Sequence, residues 1–209
     1  MQQPYNWRRG VSILLIALSL LAFGRGGWIW AKAHLANYLI EGAWQHTLAT
    51  GEQAKPWRWA DTWPVARLQL GEESHLVLQG VSGQAMAFGP GLMDNPEPLL
   101  QTNNVIIAGH MDTHFAGLRH TKIGDVIGLE TPRGTRHFRV AQRSVVEETA
   151  GYILDQGGPQ RLTLITCYPF DGLSGQATQR WVVTAYPIDP SGIDRHTVFT
   201  WPDTASWRI

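Results

Sequence analysis

Cys167 is the single cysteine of the chain. One cysteine forms no internal disulfide and builds no cysteine-based zinc site. In a cytosolic protein such a residue is ordinarily a small apolar filler. In an exported protein an unpaired thiol calls for a function. A thiol is a useful nucleophile when a good fraction is thiolate or when a base takes its proton. A nearby cation supplies the first condition and histidine the second. An arginine is always charged and suits the oxyanion that develops in acyl transfer. His110 and Arg180 are the candidates for these two roles.

Other readings of the same residue types are weaker. A zinc site would draw on His110, His114 and His120 with Asp112, but the helical H-E-x-x-H spacing is missing and the segment follows a strand, so no metal is expected. His114, four residues after His110, is the rival base. His34, His46, His75, His137 and His196 carry no motif.

The elements that must position these side chains are short strands. Alternation puts Thr163, Ile165 and Cys167 on one face of a strand over Arg161 to Thr166 and its end. It puts Ile106, Ala108 and His110 on one face of a strand from Val105 to Ala108, with Gly109 letting the backbone turn before the histidine. Arg180 opens the strand Arg-Trp-Val-Val-Thr-Ala. Further strands are expected at Val65 to Leu70, His75 to Gln79, Asp125 to Thr131, His137 to Ala141 and Ser144 to Glu148, with a helical turn near Gln84 to Phe88. The 22 glycines and 12 prolines fit many turns, and short strands separated by them imply a closed barrel or a sandwich. The glycine-bearing stretches 149–160 and 168–179 flank the cysteine strand and are where substrate selection is expected.

The 209 residues suffice for one domain plus an anchor. At 44% apolar and 16% charged the chain is neither disordered nor wholly membrane-embedded. Lys+Arg and Asp+Glu both number 17, with no long basic block, which excludes nucleic acid as a partner.

Val11 to Phe23 is an uninterrupted run of small and apolar residues behind Arg8 and Arg9. Trp28 and Trp30 suit an interfacial belt, and Arg25 can snorkel to headgroups. Residues 8–30 therefore read as one tilted membrane span, with residues 1–7 on the cytoplasmic side. A signal peptide cleaved near Ala31-Lys32-Ala33 and a buried soluble helix are the alternatives. Leu35, Leu39 and Ala43 continue at helical spacing to Gly51, a natural stop, so residues 31–55 read as a helical stalk and 56–209 as the globular domain. Trp57, Trp59 and Trp63 are expected to pack at its entrance, with a peptide groove or the membrane surface as alternatives. Residues 186–209 read as an irregular tail over the barrel.

The local sequence around the candidates is distinctive. Thr163-Leu164-Ile165-Thr166-Cys167 reads T-L-x-T-C and resembles the signature of the sortases. Ala108-Gly109-His110, followed by Asp112-Thr113-x-Phe115-x-x-Leu118, resembles the sortase histidine region. Gln179-Arg180-Trp181-Val182-Val183 resembles the strand bearing the sortase arginine. The resemblance runs from about Trp59 to Pro187. The Cys-Tyr-Pro-Phe continuation and the Ala-Asp-Thr-Trp-Pro-Val-Ala-Arg start at Ala60 resemble the small Gram-negative branch, the class GN sortases.

That resemblance implies an all-β fold, a sortase-type closed barrel of about eight strands with short helices, here preceded by an N-terminal transmembrane helix. It implies Cys167 as nucleophile, His110 as general acid and base and Arg180 at the oxyanion, with Thr166 and Asp112 as substrate-binding residues. The implied activity is a cysteine transpeptidase that cleaves an LPxTG-like sorting signal between Thr and Gly and passes the acyl group to an amine acceptor at the cell envelope. The implied place is a bacterial inner membrane, spanned once, with the catalytic domain on the periplasmic side and a substrate also held in the membrane. No cofactor is expected. Asp94, Glu97, Glu147 and Glu148 lack calcium-loop spacing, so no calcium site is assigned. The alternatives are an exported cysteine peptidase that uses water, and a non-catalytic β-barrel module that binds a peptide or glycan, with Cys167 as filler. Neither the papain nor the caspase cysteine signature is present.

Overall fold

The apolar N-terminal run forms part of one helix, α1 (Trp7–Thr50). The computed structural model describes residues 7–93, 102–171 and 177–189. Asp94, Glu97 and the tail beyond residue 189 lie outside the described residues, as do positions 1–6. The chain divides into two compact units, Met1–Leu39 and Ile40–Ile209. In the first, Ile13, Leu14, Leu20, Leu21 and Phe23 are exposed around the whole circumference of the helix. A helix apolar all round has no favourable soluble surface. By length and composition it is long and apolar enough to cross a membrane.

The second unit begins inside α1. Ile40, Ala43, Trp44 and Thr47 are buried, and Glu41 pairs with Arg67 at 2.6 Å. The last turns of the expected stalk thus belong to the globular unit. Gly51 ends the helix with φ +75°, its N–H donating to the Thr47 carbonyl at 2.9 Å. Only a residue free of Cβ adopts that left-handed cap without strain.

Eight strands follow: β1 (Pro64–Leu70), β2 (Glu73–Gln79), β3 (Gly91–Leu92), β4 (Asn104–Ala108), β5 (Val126–Thr131), β6 (Gly134–Glu147), β7 (Arg161–Tyr168) and β8 (Gln179–Ile188). They close a barrel in the order β1-β2-β3-β4-β7-β8-β6-β5. Closure passes through the short β3, which pairs with only two residues of β2 and two of β4. The short helix α2 (Gly83–Met86) stands between β2 and β3, capped by the Ser82 hydroxyl, which accepts from the Ala85 N–H.

Alternation along the strands sorts the two faces. Leu68, Val105, Ile107, Leu129, Phe138, Leu162, Leu164 and Val183 belong to the core that fills the barrel. Ile106, Ile165, Val146 and Val182 face outward and make a second, smaller apolar cluster, against which Met93, Ala150 and Ile153 pack. Ile153 comes from a 3-10 turn, Gly151–Leu154, between β6 and β7.

Two strand expectations change. The segments His137 to Ala141 and Ser144 to Glu148 are one strand, because the register slips between Val140 and Gln142 and leaves Ala141 as an extra residue in the β6–β8 ladder. A bulge of this kind breaks the alternation without ending the strand. The two-residue β3 gives no alternation to read, yet it bridges β2 and β4. Of the entrance tryptophans, Trp57 packs edge-on against Phe88 at 5.5 Å, whereas Trp59 is exposed.

Candidate active site

The site lies where β4, β7 and β8 end side by side. β4 and β7 run parallel, with Ala108 level with Ile165. His110 follows two residues after the end of β4, and Cys167 two residues after Ile165 on β7. The outward direction of Ile165 carries to Cys167 by alternation within β7. Cys167 is partly exposed and His110 is exposed.

Two bonds fix the histidine segment to the cysteine strand. The Gly109 N–H donates to the Ile165 carbonyl at 3.0 Å. The Thr166 hydroxyl donates to the Gly109 carbonyl at 2.7 Å, in a buried position. Thr166 belongs to the inward face, so its hydroxyl ties the wall together and does not join Cys167 on the outer face. Beyond the tie, the His110 carbonyl accepts from the Phe115 N–H at 3.0 Å, which curls the chain into a tight turn. Asp112 is exposed on that turn.

Gly109 has a different role from the one its position suggests. Its φ is not in the left-handed region. A Cβ there would lie 2.8 Å from the Phe115 ring. The glycine makes room for a wholly buried phenylalanine, and the packing of that ring holds the turn that follows His110.

Arg180 is the direct cross-strand partner of Cys167 in the antiparallel β7–β8 ladder. Such partners project from the same face with Cβ atoms about 5 Å apart. The guanidinium is firmly held. Nη1 donates to the carbonyls of Ala177 and Gln179, both at 2.9 Å. Nη2 donates to the Glu148 carboxylate at 3.0 Å. The arginine therefore leans toward the end of β6, and Glu148 is a residue of the site that sequence reasoning considered only for calcium.

Behind His110 stands a second histidine. His114 is half-buried, and its pKa is lowered by that burial, then by the charges of His75 and His110, with a backbone hydrogen bond at Ala87 opposing the shift. The His75 and His114 rings meet edge to face at 5.7 Å. His75, which carries no motif, is brought here from β2 by closure of the barrel. Among the described residues no group of three or more His, Cys, Asp or Glu side chains is placed to hold a metal ion.

The far side of Cys167 is aromatic. Tyr168 stacks on Trp181 at 6.1 Å, and Phe170 meets Trp181 at 5.9 Å. Arg119, from the 3-10 turn Ala116–His120, lies over the Phe170 ring at 4.9 Å and 3.5 Å from Asp171. The segment after the histidine thus touches the segment after the cysteine. The structure brings Cys167 and Arg180 together on the outer face and bonds the segment leading into the His110 turn to the same end of β7. It leaves Thr166 inside the wall.

Residues 68–188, more than half of the chain, match the sortase domain family. No curated protein matches the chain by sequence. Among solved structures, sortase C-1 from Actinomyces oris is similar at 24% identity and a TM-score of 0.53, over 60% of this chain and 75% of that one. A Clostridium perfringens sortase D5 transpeptidase is similar at 15% identity and a TM-score of 0.61, over 75% of this chain and 99% of that one. Clostridium perfringens sortase C, solved with the C-terminal cell wall sorting motif, is similar at 19% identity and a TM-score of 0.55, over 76% of this chain and 90% of that one. These likenesses are of fold.

Proposed function

The chain belongs to the sortase family of cysteine transpeptidases, and from that premise we propose that it cleaves an LPxTG-like sorting signal between Thr and Gly and transfers the acyl group to an amine at the cell envelope. The observation that carries this reading is the shared end of β4, β7 and β8, where Arg180 is the register partner of Cys167 and the residue before His110 is bonded to Thr166.

The Cys167 sulfur attacks the threonine carbonyl carbon, and the carbonyl electrons move to oxygen. Arg180 N–H groups stabilise that oxyanion or orient the substrate backbone. The C–N bond to glycine breaks while His110 gives its proton to the leaving amine. The threonyl group remains on sulfur as a thioester. An incoming amine attacks the thioester, His110 takes its proton, and the Cys167 thiolate departs. Asp112, exposed on the turn after His110, is proposed to contact substrate from the solvent side.

The class GN assignment rests on the sequence around Ala60 and Cys167. The sorting signal as substrate is supported by the similar fold of the Clostridium perfringens sortase C solved with such a motif. The apolar helix supports a single-pass anchor in the inner membrane, with the barrel on the periplasmic side. A substrate held in the same membrane would gain effective concentration from the shared surface.

The test is intact-mass analysis of the full chain in detergent after incubation with an LPxTG-type peptide. A thioacyl adduct is expected on the native chain and none on Cys167→Ala. An unchanged adduct on that variant would remove Cys167 from the mechanism. Product analysis with and without an added amine separates transfer from hydrolysis.

A further inference from the structure

We infer that Glu148 is a positioning residue for Arg180, holding the guanidinium in the orientation that serves the reaction at Cys167. This rests on the transpeptidase reading above and adds a residue to it.

The register places Glu148 for this task. Val146 on β6 is the ladder partner of Arg180 on β8, and two positions on, Glu148 returns to the same face. Its own N–H donates to the Thr178 carbonyl at 2.9 Å, so its backbone is anchored to the segment that leads into β8. Its carboxylate then accepts from Arg180 Nη2 at 3.0 Å.

A guanidinium carries five N–H groups. The bonds to Ala177, Gln179 and Glu148 use three, leaving Nε–H and one Nη2 hydrogen for an oxyanion or a substrate carbonyl. Without the carboxylate, Nη1 is still held, but the group can swing about that point. A planar donor that must meet an oxyanion loses effect when misaligned. The carboxylate also lies on the side away from the cysteine strand, because β8 stands between β6 and β7 in the barrel.

The side chains are 25% and 55% exposed, and an ion pair so open to water adds little to stability. A merely structural role and a positioning role therefore separate cleanly. Thermal unfolding of Glu148→Ala should match the native chain. Its kcat for thioester formation from an LPxTG-type peptide should fall about tenfold or more, with KM changed less than about threefold. Glu148→Gln keeps a carbonyl acceptor and should retain an intermediate rate. The decisive comparison is the double variant. In an Arg180→Ala background, Glu148→Ala should change the rate by less than about twofold, because the group it positions is gone.

An unchanged or raised kcat in Glu148→Ala overturns the inference, the raised rate marking the pair as a restraint that opposes turnover. A loss that persists undiminished without Arg180 also overturns it. Both results leave the transpeptidase reading standing so long as Cys167 still forms the thioester.

Discussion

The hydroxyl of Thr166 donates to the carbonyl of Gly109 inside the barrel wall at 2.7 Å, so the residue before Cys167 holds the residue before His110. Thr166→Val should leave that carbonyl without its donor, at about 1–3 kcal/mol for a buried polar group. Thr166→Ser keeps the hydroxyl and should lose much less. Thermal unfolding together with initial rates checks this. The valine variant is expected to lose rate even at temperatures where it is fully folded, because the His110 turn is released from the cysteine strand.

Gly109→Ala tests the packing on the other side of the same peptide. Its Cβ would fall 2.8 Å from the Phe115 ring. Overpacking a filled core costs about 1–3 kcal/mol. Adding Phe115→Leu should recover part of the stability by making room. A Gly109→Ala variant as stable as the native chain would show that the ring can shift freely, and would weaken the view that it fixes the turn.

His114 predicts a pH dependence of stability. Its folded pKa lies below the ordinary value of about 6.5 through burial and the neighbouring His75 and His110 charges. As pH falls through about 6.5, the unfolded chain takes up this proton first, so stability declines. The decline ends once pH is below the folded value. His114→Asn removes this contribution and should flatten the slope of melting temperature between about pH 7 and pH 5. An identical slope in the variant would show that His114 does not set it.

The extent of the globular unit is testable by truncation. A chain beginning at Ile40 retains the wholly buried Trp44 and the Glu41–Arg67 pair, and should fold without detergent. A chain beginning at Gly51 loses both. Removing a buried tryptophan costs about 3–5 kcal/mol, so the shorter chain should melt at a clearly lower temperature.

The strand positions were readable where alternation is clean, as in Val105 to Ala108 and Arg161 to Thr166. The bulge at Ala141 hid the continuity of β6, since one extra residue reverses the pattern. The two-residue β3 carries no period at all. Cys167, His110 and Arg180 stood out through their neighbours in sequence. His75 and Glu148 did not, because each enters the site from a distant strand or strand end through closure of the barrel, and nothing local marks them. The lean of Arg180 toward Glu148 depends on the β6–β8 register, which no single segment encodes.

The parallel pairing of β4 with β7 also governs when the site comes into being. Gly109 and Thr166 are 57 positions apart along the chain, with β5 and β6 between them in sequence. Pairing of this kind forms slowly, since a long loop must close before any contact rewards it. Until β4 and β7 pair, the His110 turn is not held beside the thiol of Cys167, so the site is assembled by long-range closure and not by any local segment.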